Sequence, residues 1–232
     1  MIYVTSDLHG LPLYDLKCLL EKVGFSDSDW LYILGDVIDR QGDGGVEILK
    51  WLLTQANVQL ILGNHEAMLL SCDFLFEEIT DESIDDFTEN LELLDNYKNN
   101  GGAVTLEALA KLRKENPETV CDIIDYLREA PICEAVSVGN KDYLLVHAGL
   151  ENFSKNKSLD DYEYDEMLWK SPDIDEEYFD DIITVFGHTP TFNYGEEHNG
   201  KILYTKTWIA IDVGVCHGNA PILLRLDDLE VF

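Results

Sequence analysis

The 232-residue chain carries 16 Lys and Arg against 46 Asp and Glu, a formal net charge of −30, and 46% of its residues are hydrophobic. There is enough apolar material to bury a full core as one domain, while so acidic a surface argues against nucleic acid and anionic membranes as partners, since both are bound through Lys and Arg. No apolar run approaches the roughly 18 residues of a membrane helix, no basic segment precedes an apolar one as in a secretion signal, and the five scattered cysteines show neither CxxC spacing nor a disulfide framework; a reduced, cytoplasmic protein is expected.

Short apolar runs alternate with helical patterns from the start. Ile2–Thr5 reads as a buried strand, and Pro12 opens a helix with Leu13, Leu16, Leu20 and Val23 on one face and Gly24 suited to its C-cap. Leu31–Leu34 is the next strand, a helix follows near Val46–Leu53, and Val58–Leu62 is a third strand. From about Ala67 to Ala130 there are no strand candidates. Ser83 with Asp86 resembles a capping pair ahead of a stripe of Ile84, Phe87, Leu91 and Leu94, and Asn116-Pro117 starts a helix with Val120, Ile123, Ile124 and Leu127 on one side. This stretch, about residues 67–130, is expected to be a helical insertion within a single domain spanning 1–232. Cys133–Val138 and Lys141–Val146 flank Gly139-Asn140, a two-residue hairpin turn. Strands are then expected at Ile182–Phe186, Lys201–Tyr204, Trp208–Val213 and Ile222–Leu226. Strand-helix alternation predicts an α/β (α+β) fold. Two acidic runs, Glu77–Asp95 and Asp160–Asp181, read either as solvated faces or as a surface that attracts basic protein substrates.

Five strands run straight into ligand-type residues: Asp7-Leu8-His9-Gly10, Gly35-Asp36-Val37-Ile38-Asp39-Arg40, Gly63-Asn64-His65-Glu66, His147-Ala148-Gly149 and Gly187-His188-Thr189-Pro190. Ligands of α/β sheets bind beyond the carboxyl ends of the strands, so these loops can converge on one spot. Each alone has a plain explanation: Asp7 or Asp36 as a helix cap, Asn64 as a turn residue, a lone His as a core group. Five at matching strand ends do not. Oxygen and imidazole donors without thiolate suit manganese, iron or zinc, and six or seven such groups exceed the need of one tetrahedral ion.

These motifs together resemble the calcineurin-like metallophosphoesterase superfamily, and within it the bacterial serine/threonine phosphoprotein phosphatase branch. Ile211-Asp212-Val213-Gly214 is similar to the family's closing segment. The resemblance implies a two-sheet β-sandwich flanked by helices and two divalent metal ions, manganese first, with iron, zinc or nickel as alternatives. It implies Asp7 and His9 at the first metal, Asp36 bridging both, and Asn64, His147 and His188 at the second. It further implies Arg40 and Asn64 at the substrate phosphate, His65 as the acid that protonates the leaving oxygen, and Asp39 as its orienting partner.

The family's second phosphate-binding arginine has no clear counterpart. Arg225 lies in a strand pattern, and Lys170 is the substitute to test, although it lacks the bidentate fork. Asn100-Gly101-Gly102 with Thr105 resembles a segment that bacterial relatives carry beside the site, or equally a helix end and a new N-cap. His217 is not expected to be a ligand. Three functions are carried forward: a phosphatase acting on phosphorylated proteins or small phosphoesters, a hydrolase of diadenosine tetraphosphate or a related nucleotide, and an inactive metal-binding scaffold. Asp39, Glu66 and the acidic surface favour the first.

Overall fold

The computed structural model describes residues 1–76 and 87–232. Among these residues ten strands form two sheets. The first has β1 (Ile2–Thr5), β2 (Trp30–Leu34) and β3 (Val58–Ile61) in parallel, extended antiparallel by β9 (Leu224–Arg225) and β10 (Glu230–Val231) in the order β10-β9-β1-β2-β3. The second is built from β4 (Cys133–Val138), β5 (Lys141–Val146), β6 (Ile182–Phe186), β7 (Leu203–Tyr204) and β8 (Trp208–Ala210) in the order β4-β5-β6-β8-β7. The expected two-sheet sandwich flanked by helices is therefore present.

Period-2 alternation divides each strand between two layers. Val4, Tyr32, Leu34 and Ile61 meet Val136, Tyr143, Leu145 and Val185 between the sheets. Tyr3, Leu31, Ile33 and Leu60 face the helices α1 (Leu13–Lys22), α2 (Val46–Leu52), α3 (Asn64–Leu70), α4 (Phe87–Tyr97), α5 (Ala103–Glu115) and α6 (Pro117–Glu129). The outer face of the second sheet is covered differently. Leu144, Phe186 and Trp208 pack under Leu150, Tyr162, Met167 and Tyr178, carried on loops and 3-10 turns; this cover contains the second acidic run.

Among the described residues no strand lies between β3 and β4, as expected for 67–130. Val120, Ile123, Ile124 and Leu127 are all buried, and Asn116 accepts the N–H of Thr119 at 3.4 Å as the N-cap of α6. The Ser83/Asp86 pair, Ile84 and most of the first acidic run lie outside the described residues. Two expectations need correction. In α4 the core face is Leu93 and Tyr97, whereas Leu91 is exposed; the helix is rotated by a buried hydrogen bond from Tyr97 that its apolar spacing does not encode. The last long strand stops at Ala210, because the Asp212 carboxylate accepts the N–H of Gly214 at 2.9 Å and turns the chain toward the site.

Candidate metal centre

The loops after β1, β2, β3, β5 and β6 meet at one end of the sandwich. Eight non-glycine residues among those described have positive φ, and six of them are sequence-identified: Asp7 (52°), His9 (42°), Asp36 (54°), Asp39 (77°), Arg40 (68°) and His188 (63°). Each such conformation costs on the order of 1–3 kcal/mol, and Asp, Asn and His tolerate it best. Their concentration marks loops shaped to aim side chains. Gly187 is required for the same reason: a Cβ there would lie 2.0 Å from an Asp7 carboxylate oxygen.

Backbone carbonyls fix which imidazole nitrogens point inward. His9 Nδ1 lies 3.1 Å from the Ile38 carbonyl, His147 Nδ1 2.8 Å from that of Leu34, and His188 Nε2 3.2 Å from that of Trp169. A carbonyl only accepts, so these nitrogens carry the hydrogens, and the opposite nitrogens present lone pairs. His147 Nε2 and His188 Nδ1 then face the Asn64 Oδ1 at 2.8 and 3.0 Å. These are acceptors meeting an acceptor with no hydrogen between them, which is the arrangement a cation resolves. Outer hydrogen bonds of this kind are what orient metal-binding histidines. Asp36 stands between two groups. Its Oδ2 lies 3.7 Å from His9 Nε2 and its Oδ1 3.5 Å from His147 Nε2. His9, Asp36 and His65 offer donor atoms within 4.8 Å of one another, and so do Asp36, His147 and His188. The donor set thus fits two hard or borderline divalent ions sharing Asp36.

Asp7 stands outside both groups. Its carboxylate accepts the backbone N–H of His188 at 3.0 Å, and burial, then Asp212, then Asp36 push its pKa well up. Burial also pushes Asp36 up to about 7 and Asp212 up to about 6. Burial, reinforced by neighbouring imidazoles, holds His9 and His147 well below the ordinary histidine value, hence neutral and able to ligate. Three buried carboxylates facing one another beside neutral imidazoles form a cradle for positive charge.

His65 is held differently. Its Nδ1–H donates to Asp39 Oδ2 at 2.6 Å, and its Nε2 lies 3.1 Å from the Arg40 guanidinium. An Nε2 that accepts from a guanidinium is not available to a metal, so His65 is better placed at the edge of the first group than within it. Burial pushes its pKa down, but Asp36 and Asp39 outweigh burial and the net direction is up. Asn64 and His65 open α3, and the fully buried Glu66 beside them ties two loops together. Its carboxylate accepts the N–H groups of Asp36 (2.8 Å), Val37 (2.9 Å), Ile38 (3.3 Å) and Gly63 (3.1 Å).

Lys170 is not brought into the pocket. Its ammonium lies 3.3 Å from the Glu176 carboxylate, and its carbonyl accepts the N–H of Gly149. Arg225 is likewise paired, with Asp228 and Glu230 at the sheet edge. A pocket of about 70 Å³ is lined by residues of the loops after β1, β2, β3 and β6, among them His9, Asp36, Arg40, Asn64, His65 and His188, and by Asp212 and His217 from the closing segment. It adjoins an open cleft of about 370 Å³ bounded by Arg40, Asn99, Asn100, Gly101, Cys216 and His217. Thr105 is not an N-cap; its hydroxyl is 2.5 Å from Asp39 Oδ1, and the Tyr97 hydroxyl is 2.7 Å from the same oxygen. Sequence reasoning overlooked Tyr97, the anchoring part of Glu66, and the approach of Asp212 and His217. The adjacency of Glu66 to His65 and of Tyr97 to Asn100-Gly101-Gly102 was the signal available.

A model of the calcineurin-like phosphoesterase family matches residues 1–218. A symmetrical bis(5'-nucleosyl)-tetraphosphatase of Erwinia tasmaniensis is 27% identical over 150 residues, 64% of this chain and 44% of that one. The chain spans less than half the length of the curated relatives it matches. A protein serine/threonine phosphatase structure from Saccharomyces cerevisiae superposes with a TM-score of 0.61 at 17% identity, covering all of this chain and 78% of that one. A candidate diadenosine tetraphosphatase gives 0.60, also at 17% identity, covering all of this chain and 91% of that one. At that identity both likenesses speak for the fold. With the family model spanning all five motif loops, the chain belongs to the calcineurin-like phosphoesterase family.

Proposed function

We propose that the chain is a dinuclear-metal phosphomonoesterase of the serine/threonine phosphoprotein type, acting as a single domain over residues 1–232. The observation that carries this reading is the buried Asp39–His65 pair at 2.6 Å beside Arg40. Esters of serine and threonine leave as poorly stabilised alkoxides, and a histidine oriented by a carboxylate is the group that supplies the missing proton.

In this reading Asp7, His9 and Asp36 hold one ion, and Asp36, Asn64, His147 and His188 the other. When bound, a pair of divalent ions supplies a nucleophilic hydroxide near neutral pH and neutralises charge on the phosphoryl oxygens. The chain's own residues do the rest. Arg40, resting against His65 Nε2, moves its planar fork onto two phosphate oxygens when the dianion enters. That movement frees Nε2. With Nδ1–H committed to Asp39, the protonated imidazole presents Nε2–H to the leaving oxygen. Asn64 adds an amide donor beside the phosphate. The five free thiols suit a reducing, cytoplasmic setting.

A second reading, hydrolysis of diadenosine tetraphosphate or a related nucleotide, draws on the named activity of the curated relatives and on Trp169. This indole is 44% exposed and packs edge-on against His188, with ring centroids 6.2 Å apart, so it could stack a base. Against it, no Phe, Tyr or Trp among the described residues lines the adjoining cleft. The deciding experiment strips the metals and restores manganese, iron, zinc, nickel or magnesium with a phosphoserine peptide, nitrophenyl phosphate and diadenosine tetraphosphate side by side. Metal-restored phosphate release from the peptide supports the first reading. Preference for the dinucleotide, lost in Trp169→Ala, transfers the assignment to the second. No turnover on any of the three despite bound metal would leave an inactive metal-binding scaffold.

A further inference from the structure

The segment between α4 and α5 grips two consecutive residues of the site. Lys98–Gly102 forms a π turn, with Gly101 at φ 104°. Its Gly101 carbonyl accepts the N–H of Arg40 at 3.1 Å, and a Cβ at Gly101 would lie 3.0 Å from the Arg40 side chain. Tyr97, before the turn, donates its hydroxyl to Asp39 Oδ1 at 2.7 Å. Thr105, after it, lies 2.5 Å from the same oxygen, and its own oxygen accepts the N–H of Asp39 at 3.0 Å. Tyr97, Thr105 and Asp39 are all fully buried. Asp39 and Arg40 are also adjacent left-handed residues, a conformation that persists only when surroundings over-determine it.

The terminal torsion of an aspartate is broad, so a single bond to His65 would not fix the carboxylate plane. Two hydroxyls on Oδ1 do fix it and leave Oδ2 for His65 Nδ1–H alone. We infer that Tyr97 and Thr105 are positioning residues for the proton donor: the helical segment locks the Asp39 carboxylate so that the Nδ1–H of His65 stays bonded to it, the second proton is taken up at Nε2, and that Nε2–H is the one given to the leaving oxygen. The inference rests on the proposed role of His65. It assigns the helical segment a part in turnover beyond covering the core.

The test uses Tyr97→Phe, Thr105→Val and Thr105→Ser in the full chain, with melting temperature and metal content measured first. On a phosphoserine peptide, Tyr97→Phe and Thr105→Val are expected to lower kcat about tenfold or more at nearly constant KM, with a smaller loss on nitrophenyl phosphate, whose leaving group needs no proton; hydrogen bonds to charged groups support losses of this order. Thr105→Ser, which keeps the hydroxyl, restores most of the rate. In an Asp39→Asn background Tyr97→Phe adds nothing further. Equal losses on both substrates, or an undiminished loss in the Asp39→Asn background, would overturn the inference. A readout independent of turnover is nitrogen NMR of the His65 ring in metal-free protein. The wild type should show one Nδ1–H tautomer and the Phe and Val variants a mixture; an unchanged tautomer in both variants refutes the positioning role even if the protein hydrolyses no phosphopeptide.

Discussion

Glu66→Gln is the sharpest test of how the strained loops are held. Each carboxylate oxygen accepts two backbone N–H groups, Oε2 from Asp36 and Gly63, Oε1 from Val37 and Ile38, and the side chain is wholly buried. Glutamine keeps one acceptor oxygen and turns an NH₂ toward the other pair, so two hydrogen bonds are lost and two buried N–H groups are stranded. At about 1–3 kcal/mol for each stranded group the gross loss is about 2–6 kcal/mol. Removing a buried charge, whose pKa burial already pushes up, offsets part of this. A net loss of about 2–4 kcal/mol is expected, a large share of the roughly 5–15 kcal/mol that holds a typical domain. In urea denaturation of the metal-free protein this moves the midpoint down by about 1 M at unchanged slope. Because Asp36 loses its backbone anchor, metal affinity measured by titration calorimetry should fall as well. A stability change below about 0.5 kcal/mol with unaltered metal binding would refute the claim that Glu66 clamps the two loops.

Asp36→Asn should lose more metal affinity than the ~10–100-fold that follows removal of an outer hydrogen-bond partner, because one carboxylate faces both donor groups; metal analysis showing two ions retained would sink the bridging assignment. Gly187→Ala should displace Asp7, since the new methyl falls 2.0 Å from its oxygen, and should cost about 1–3 kcal/mol of stability while lowering metal stoichiometry, both readable by melting and metal analysis. Arg40→Ala should raise the inhibition constant of inorganic phosphate about 10–100-fold, the worth of a bidentate charged contact, and an unchanged constant rules out the clamp.

The strands and the site were legible because both follow from local pattern. Ile2–Thr5 and Ile182–Phe186 are apolar runs closed by polar turn residues, and the ligand types sit immediately after them, where a sheet delivers its loops. What the sequence does not carry is the partner of each group across the fold. Nothing local says that Tyr97 and Thr105 meet Asp39, 58 and 66 residues away, and that long-range bond is also why the apolar stripe of α4 misjudged its buried face. Lys170 lies away from the pocket lining for a related reason. Its charge is plain in the sequence, but its neutralisation by Glu176 depends on how the loop covering the second sheet folds back. Glu230–Val231 escapes periodicity because two residues define no period, whereas Leu224–Arg225 is the centre of the expected run Ile222–Leu226; β9 adds to the open edge of β1, and β10 to β9.

The charge balance and the metal centre are two sides of one electrostatic problem. At a net charge of −30 the protein's long-range field repels a phosphate dianion, and the pocket is lined by Asp36 and Asp212 with Asp7 buried close by, each with a pKa that burial raises. Arg40 is the only guanidinium or ammonium among the described residues lining the pocket, and one such charge does not outweigh three carboxylates. Divalent ions relieve the mutual repulsion of the carboxylates and at the same time create the positive centre that a phosphate requires. Metal and phosphate are therefore coupled ligands: whatever the metals contribute to phosphate affinity, phosphate contributes equally to the affinity for the metals. The neutral imidazoles follow from the same requirement, since a protonated His147 or His188 would repel the ion that the buried carboxylates need. Burial of these groups, unfavourable for each carboxylate taken singly, strengthens their attraction for a cation and so suits the constellation to work against an acidic surface.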